Sequence, residues 1–226
     1  MLTHAPWTDI ADLRHGFLDG AECATVAWPT AVAAAGAPLP IVTARQVHGT
    51  RIVAACLQQT EPPQADGLAT ADAGFLVGVV TADCMPVLLL SRARRVVAAV
   101  HAGWRGTSTG VLEAAVTHLA DLGAGTETLE AAIGPAIGAC CYEVGDEVRA
   151  AFERRSGQVT AGAWTSRGGR LHLDLRAAAC LLLAAAGVPA VVIGPCTACG
   201  TGYSSYRRDG AGSGRQLSFI GWARQG

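Results

Sequence analysis

His48, Cys84 and His101 are the residues of this chain whose types and placement best suit chemistry. Cys84 lies in Ala82-Asp83-Cys84, just after the apolar stretch Gly74 to Val80. His101 opens His101-Ala102-Gly103-Trp104-Arg105-Gly106 directly after Val96 to Val100, and His48 sits in Gln46-Val47-His48-Gly49, past a β-branched segment that starts at Ile41. Buried strands ending in polar, glycine-flanked loops are a common way to build a site in an α/β protein. One thiolate and two imidazoles form a three-ligand set suited to zinc or copper, with one coordination position open. Such a set reduces the net charge of the ion while leaving it able to polarise a bound water. The three are too dispersed for a zinc finger, and each taken alone also reads as a boundary or packing residue. A metal-free alternative makes Cys84 a nucleophile with His101 as its base.

Around this trio stand further candidates. Asp83, next to Cys84, would orient water or carry a proton if its side chain turned inward, but neighbouring strand residues point to opposite faces, so a bend must decide between them. Asp66 has a similar dual reading, because Asp66-Gly67 is first of all a turn signal. Arg45 lies near His48 and Arg105 near His101, while Arg207 and Arg208 form a pair of fork-shaped donors suited to phosphate or a carboxylate. Asp83, Arg105 and Arg208 are the expected catalytic residues, and Arg45, Gln46, Tyr203 and Arg207 the expected substrate contacts. Cys196-x-x-Cys199 has redox or metal spacing, but Gly200 and Gly202 interrupt the helix that a thioredoxin-like site needs, so packing or support of the site is the preferred reading. Cys140-Cys141 has no such spacing, and adjacent cysteines seldom form an easy bridge.

The chain that must position these groups has 226 residues, half of them hydrophobic, enough for a sizeable core in one domain spanning residues 1 to 226. All 17 basic residues are arginines and are dispersed, so no basic patch points to nucleic acid. Met1 to Leu13 lacks the basic leader and apolar run of a secretory signal, which makes the cytoplasm the expected location and free thiols the expected state of most of the eight cysteines. The longest apolar run, Ala177 to Gly194, is divided by Gly187 and Pro189 and reads as a helix followed by a strand rather than a membrane span.

Alternating and continuous apolar patterns predict strands at Gly16-Phe17-Leu18, Ile41 to Val47, Arg51 to Cys56, up to Thr81, Met85 to Leu90, Val96 to Val100, Thr128 to Ile133, Ala190 to Gly194 and Leu217 to Trp222. Helical spacing predicts one helix from Thr107 or Ser108 to Leu122, another from Val144 to Arg154, and a third from Leu175 to Ala186 capped by Asp174. Pro29, Pro38 and Pro40 punctuate an alanine-rich linker or short helix. Gln58 to Gln64 reads as a polar loop, and Arg155 to Arg170 as a mobile one. The mixture gives an α/β or α+β layered fold with mixed sheets and packed helices.

Several blocks together resemble the multicopper polyphenol oxidoreductase, or laccase-domain, family. They are Gln46-Val47-His48-Gly49-Thr50, Ala65-Asp66-Gly67-Leu68, Thr81-Ala82-Asp83-Cys84-Met85-Pro86, His101-Ala102-Gly103-Trp104-Arg105-Gly106, Ile133-Gly134-Pro135, Cys140-Cys141-Tyr142-Glu143-Val144-Gly145, and Ser205-Tyr206-Arg207-Arg208-Asp209-Gly210 with Gly214-Arg215. The resemblance implies the family's α/β fold, a compact monomeric enzyme, and metal binding, by zinc or copper, at His48, Cys84 and His101. It further implies phosphorolysis of adenosine, inosine or methylthioadenosine, with adenosine deamination alongside. The partners would then be a nucleoside and phosphate, with no nucleic acid and no membrane. Copper-dependent phenol oxidation and editing of cell-wall precursors are the other enzyme readings, and a metal-stabilised binding protein is the non-enzymatic one. Two segments depart from the family pattern. Leu18 to Cys23 replaces its arginine and glycine-rich turn, and Tyr203-Ser204 keeps one aromatic where two are usual, which reduces stacking area.

Overall fold

The computed structural model describes residues 1–24, 26–58 and 61–224. Twelve strands occur among them: β1 Leu13–Phe17, β2 Ile41–Thr43, β3 Ile52–Ala54, β4 Gly67–Thr70, β5 Leu76–Thr81, β6 Met85–Ser91, β7 Val96–Ala102, β8 Leu129–Ile133, β9 Trp164–Arg167, β10 Arg170–Leu173, β11 Ala190–Val192 and β12 Gln216–Trp222. The α-helices are α1 Ala5–Thr8, α2 Gly20–Cys23, α3 Trp28–Ala34, α4 Trp104–Thr109, α5 Val111–Asp121, α6 Asp146–Ser156, α7 Leu175–Ala185 and α8 Tyr206–Asp209. A six-stranded sheet runs β11-β8-β6-β7-β4-β3, and a four-stranded sheet runs β1-β12-β5-β2. Both are mixed: in the larger, β6 pairs antiparallel with β7 and β8 while β3–β4 and β8–β11 are parallel, and in the smaller, β12 pairs antiparallel with β1 and β5 while β2–β5 is parallel. The expected layered α/β fold is thus present.

The sequence pattern explains the layering. Along β6, Val87 and Leu89 pack with residues of α5, α6 and α7, while Leu88 and Leu90 pack with Val77 and Val79 of β5 and Ile220 and Trp222 of β12. In β7, Val96, Ala98 and Val100 take the helix side and Val97 and Ala99 the sheet side. A strand buried on both faces reads as a continuous apolar run, which is why these two were legible without alternation. The outer face of the smaller sheet buries Leu76, Leu217 and Phe219 against Ala31 and Val32 of α3. The order is therefore helices, sheet, sheet, helices.

This period of two also aims the site. His101 is an odd position of β7, as Val97 and Ala99 are, and Cys84 precedes β6 in phase with Leu88 and Leu90. Pro86 pairs with His101 across the two strands, so both functional side chains leave the same end of one sheet, on the side facing the other.

Several expectations need correction. His101 lies within β7 rather than in the loop after it, and β4, read as a turn at Asp66-Gly67 before the next strand, is an interior strand between β3 and β7. The single helix expected from Thr107 to Leu122 is two, α4 and α5, divided at Gly110, whose φ is 104°. Arg155 to Arg170 is not an irregular loop: it finishes α6, forms a 3-10 turn over Ala161–Ala163 and enters the hairpin β9–β10. Gly168 and Gly169, at φ 57° and 78°, supply the left-handed two-residue turn that such a hairpin favours. Asp174 caps α7 as expected, its carboxylate accepting from the Ala177 N–H at 3.0 Å. The loop expected over Gln58 to Gln64 includes Gln59 and Thr60, which lie outside the described residues. Among the described residues, no helix is long and apolar enough to cross a membrane.

Candidate metal centre and its cavity

The ligand atoms of His48, Cys84 and His101 all lie within 4.8 Å of one another. The imidazoles meet edge to face, their centroids 4.8 Å apart and their planes at 88°. His101 is buried at the end of β7, Cys84 is half-buried, and His48 is exposed on the opposite rim. His48 holds a left-handed backbone, φ 60°, a conformation that a non-glycine residue adopts only when its surroundings enforce it.

Asp66 enforces it. The fully buried Asp66 carboxylate accepts the N–H groups of His48 at 2.8 Å, Gly49 at 2.7 Å and Val47 at 3.3 Å, which folds the histidine loop around one side chain. Its Oδ1 also lies 3.0 Å from His101 Nδ1. With Nδ1–H donating to that oxygen, Nε2 of His101 is left for the metal, the carboxylate–histidine arrangement common behind metal sites. Burial works against the Asp66 charge, but His101 and the N–H groups of Gly49 and His48 hold its carboxyl below the usual range.

Charge within the trio is arranged for a cation. Burial opposes ionisation of Cys84, yet the neighbouring His101 and His48 bring its thiol down to about 6. Burial likewise opposes a charge on His101, but Asp66 and Cys84 raise it to about 9. Without metal the site is thus a thiolate–imidazolium pair near neutral pH.

Asp83 takes the other direction. It too has a left-handed backbone, φ 83°, and this bend sends Cys84 toward the histidines while Asp83 reaches the opposite wall. Its Oδ1 accepts from the Thr197 hydroxyl at 2.6 Å, and its Oδ2 from the Ser205 hydroxyl at 3.0 Å and the Arg207 N–H at 2.6 Å. Both oxygens are occupied in holding the Thr197–Arg207 segment to the site.

A cavity of about 660 Å³ surrounds the trio, within the range usual for small-molecule sites. Of the expected site residues, Gln46, His48, Asp83, Cys84, His101, Arg105 and Arg207 line it. Arg45, Tyr203 and Arg208 do not. Arg45 is exposed, its backbone bridged to Gln64. Arg208 points its guanidinium at the carbonyls of Thr197, Ala198 and Tyr203 and at Asp209, so it braces a loop. Gln46 clamps the backbone of Val80, donating to its carbonyl at 2.7 Å and accepting from its N–H at 2.8 Å.

Arg105 stacks over the Trp104 ring at 4.4 Å, and its guanidinium makes no hydrogen bond or ion pair among the described residues. Arg207 lies over the Tyr142 ring at 5.2 Å and donates to the carbonyls of Cys141 and Glu143. Sequence reasoning did not assign Tyr142, Tyr206 or Arg215 to the cavity, although all three belong to blocks it had singled out. Nor did it give Asp66 its place behind His101, because an Asp-Gly pair signals a turn before anything else.

Gly103 fixes how closely the trio can close. A Cβ there would stand 2.8 Å from Cys84 Sγ and 3.5 Å from a His48 ring carbon. Its backbone, φ −79° and ψ 172°, is one that alanine adopts freely, so Gly103→Ala displaces the sulfur without straining the chain. We expect that substitution to weaken metal binding about 10- to 100-fold, with folding retained. Competition with a chromophoric chelator measures it, and unchanged affinity would remove Cys84 from the ligand set.

Comparison with known proteins identifies the family and the fold. Residues 10–223 match the family described as multi-copper polyphenol oxidoreductase laccase. A purine nucleoside phosphorylase of Deinococcus radiodurans is 40% identical over 181 residues, 80% of this chain and 69% of that protein. A protein named adenosine deaminase RL5, from an unknown prokaryotic organism, is 41% identical over 160 residues, 69% of this chain. The match spans 61% of the RL5 protein's length, less than two thirds of it. Among solved structures, YlmD of Geobacillus stearothermophilus superposes with a TM-score of 0.78 at 32% identity, covering 87% of this chain and 78% of that one.

Proposed function

Because the chain belongs to the multi-copper polyphenol oxidoreductase laccase family, we propose that it is a zinc-dependent purine nucleoside phosphorylase that also deaminates adenosine. The observation that carries this reading is the clustering of His48, Cys84 and His101 at a cavity that also presents Arg105, Arg207 and Arg215 and the rings of Trp104, Tyr142 and Tyr206. The names of similar proteins, purine nucleoside phosphorylase and adenosine deaminase, support the same substrate class.

The donor set fits zinc: one thiolate, two imidazoles and a carboxylate behind one of them. Zinc bound there would supply Lewis-acid polarisation to the atom at its open position. The rest falls to the chain's own groups. Arg105, whose guanidinium has no hydrogen bond or ion pair among the described residues, holds phosphate. Arg207 and Arg215, both already donating to loop carbonyls, add positive charge at the cavity wall, while Tyr206 and the ring faces of Tyr142 and Trp104 not covered by arginine give the purine flat apolar surfaces. Phosphorolysis forms a bond from a phosphate oxygen to the sugar carbon, breaks that carbon's bond to the purine nitrogen and returns a proton to the leaving base. Positioning phosphate and nucleoside together contributes most of what a protein can add to such a step. Asp83 is assigned a positioning role, keeping Thr197, Ser205 and the Arg207 backbone against the cavity. We place the protein in the cytoplasm as a monomer, a compartment in which its cysteines, none of them bridged among the described residues, stay reduced.

The test is a product assay. Zinc-loaded protein incubated with adenosine and phosphate is expected to give adenine and ribose 1-phosphate together with inosine, and inosine alone when phosphate is omitted. Absence of turnover of any purine nucleoside would overturn the reading. Oxygen consumption with phenols that persists after weakly held copper is stripped would favour the oxidase instead.

A further inference from the structure

A second cluster of metal-ligating side chains lies outside the trio. Cys140 and Cys141 come from the turn before α6, and Cys196 and Cys199 from the turn after β11, yet all four sulfurs lie within 4.8 Å of one another. Two contacts bring the turns together. Ala136 and Cys196 form a parallel bridge, and the Thr197 N–H donates to the Ala136 carbonyl at 3.1 Å. Every cysteine in the group is a free thiol.

We propose that Cys140, Cys141, Cys196 and Cys199 form a structural zinc site, a closed tetrathiolate that ties the loop after β8 to the loop after β11. Zinc is bound by sulfur at about 2.3 Å in a tetrahedron, which separates the sulfurs by about 3.8 Å. Sγ of Cys140 and Cys199 are 3.7 Å apart, close to that edge. Four protein sulfurs leave no open position, the mark of a structural rather than a catalytic zinc. The Gly138 N–H points at Cys196 Sγ from 3.2 Å, the kind of backbone donor that supports a metal-bound thiolate.

The location gives the site a purpose. Ile137 and Tyr142, on the first loop, line the cavity around the trio, and the Ile137 N–H donates to the Asp83 carbonyl at 2.9 Å. Thr197, between the two cysteines of the second loop, donates its hydroxyl to the Asp83 carboxylate, next to Cys84 in the chain. Arg207 donates to the carbonyl of Cys141 itself. A zinc ion here would fasten the cavity wall from behind without touching substrate.

The test uses the full chain purified under reducing conditions with zinc present. Elemental analysis is expected to find about two zinc ions per chain in the wild type and about one each in Cys84→Ala and in Cys199→Ser. Cys199 is exposed, so its substitution leaves the core intact. A second measurement does not depend on that variant's stability: cobalt loaded into Cys84→Ala should show the intense ligand-field and thiolate-to-cobalt charge-transfer bands of a tetrathiolate. Unchanged zinc content in Cys199→Ser, a cobalt spectrum without those bands, or four thiols missing from a titration of the denatured protein because they are paired as disulfides would each overturn the proposal.

Discussion

Cys84→Ala is expected to strip the metal from the trio and lower nucleoside turnover by at least about 10³-fold, the upper range for losing one electrostatic stabiliser of a transition state. The argument is local. Cys84 supplies the only sulfur in the trio, and the two imidazoles that remain come from different supports, one buried on β7 and one on an exposed loop. Two neutral imidazoles hold zinc far less well than two imidazoles and a thiolate, and neither neighbouring carboxylate replaces the sulfur. Asp66 is fully engaged with His101 and the loop N–H groups, and Asp83 with Thr197, Ser205 and Arg207. The fold should survive, because the residue sits at a strand end and is half-buried. Zinc stoichiometry after gel filtration, circular dichroism and product formation separate the outcomes: a zinc content unchanged from the wild type with activity lost would favour a cysteine nucleophile over a ligand.

What the sequence disclosed about this site, and what it withheld, follows from how far each feature depends on local pattern. The trio was legible because residue type identifies a soft ligand set and the apolar runs before Cys84 and His101 locate strand ends. The roles of the two aspartates were not. Asp83 follows an apolar run and Asp66 a polar loop, and both read as turn residues, but the left-handed backbone at Asp83 turns it to Thr197, whereas the Asp66 carboxylate lies behind His101. Aspartate adopts that conformation more often than most residues, but residue type alone does not mark which aspartate does. Arg208 read as a phosphate donor by its chemistry, whereas the short helix α8 turns it onto loop carbonyls and leaves Arg207 at the cavity. The strand β4 was hidden by the turn signal of Asp66-Gly67 and by its small residues. Cys196-x-x-Cys199 was visible as a pattern and assigned to packing. Its partners, Cys140 and Cys141, become apparent only through the pairing of Ala136 with Cys196, a contact between segments distant in the chain.

Metal affinity of the trio should rise steeply with pH, by about tenfold per unit between roughly pH 7 and 9, and level off above that range. The reference state is the protein without metal, in which Cys84 titrates at about 6 and His101 at about 9. Between those values the sulfur is already a thiolate while His101 keeps both ring protons, one of them shared with Asp66. A metal ion must displace the other, so each binding event releases one proton and the apparent association constant gains a factor of ten for every unit of pH. Above the His101 value no proton remains to be displaced from that ring, and the slope falls away. Asp66→Asn provides the internal control. Removing the carboxylate takes away one support of the His101 charge, so the plateau should begin at lower pH. It also removes the acceptor that holds the His101 ring and the His48 loop, so affinity on the plateau should be about 10- to 100-fold weaker than in the wild type. Zinc titrations against a chelator of calibrated proton dependence, on protein carrying Cys199→Ser so that the trio is read alone, measure both effects. A pH-independent affinity in the wild type would mean that His101 carries no proton for the metal to displace, and that Asp66 orients the ring without charging it.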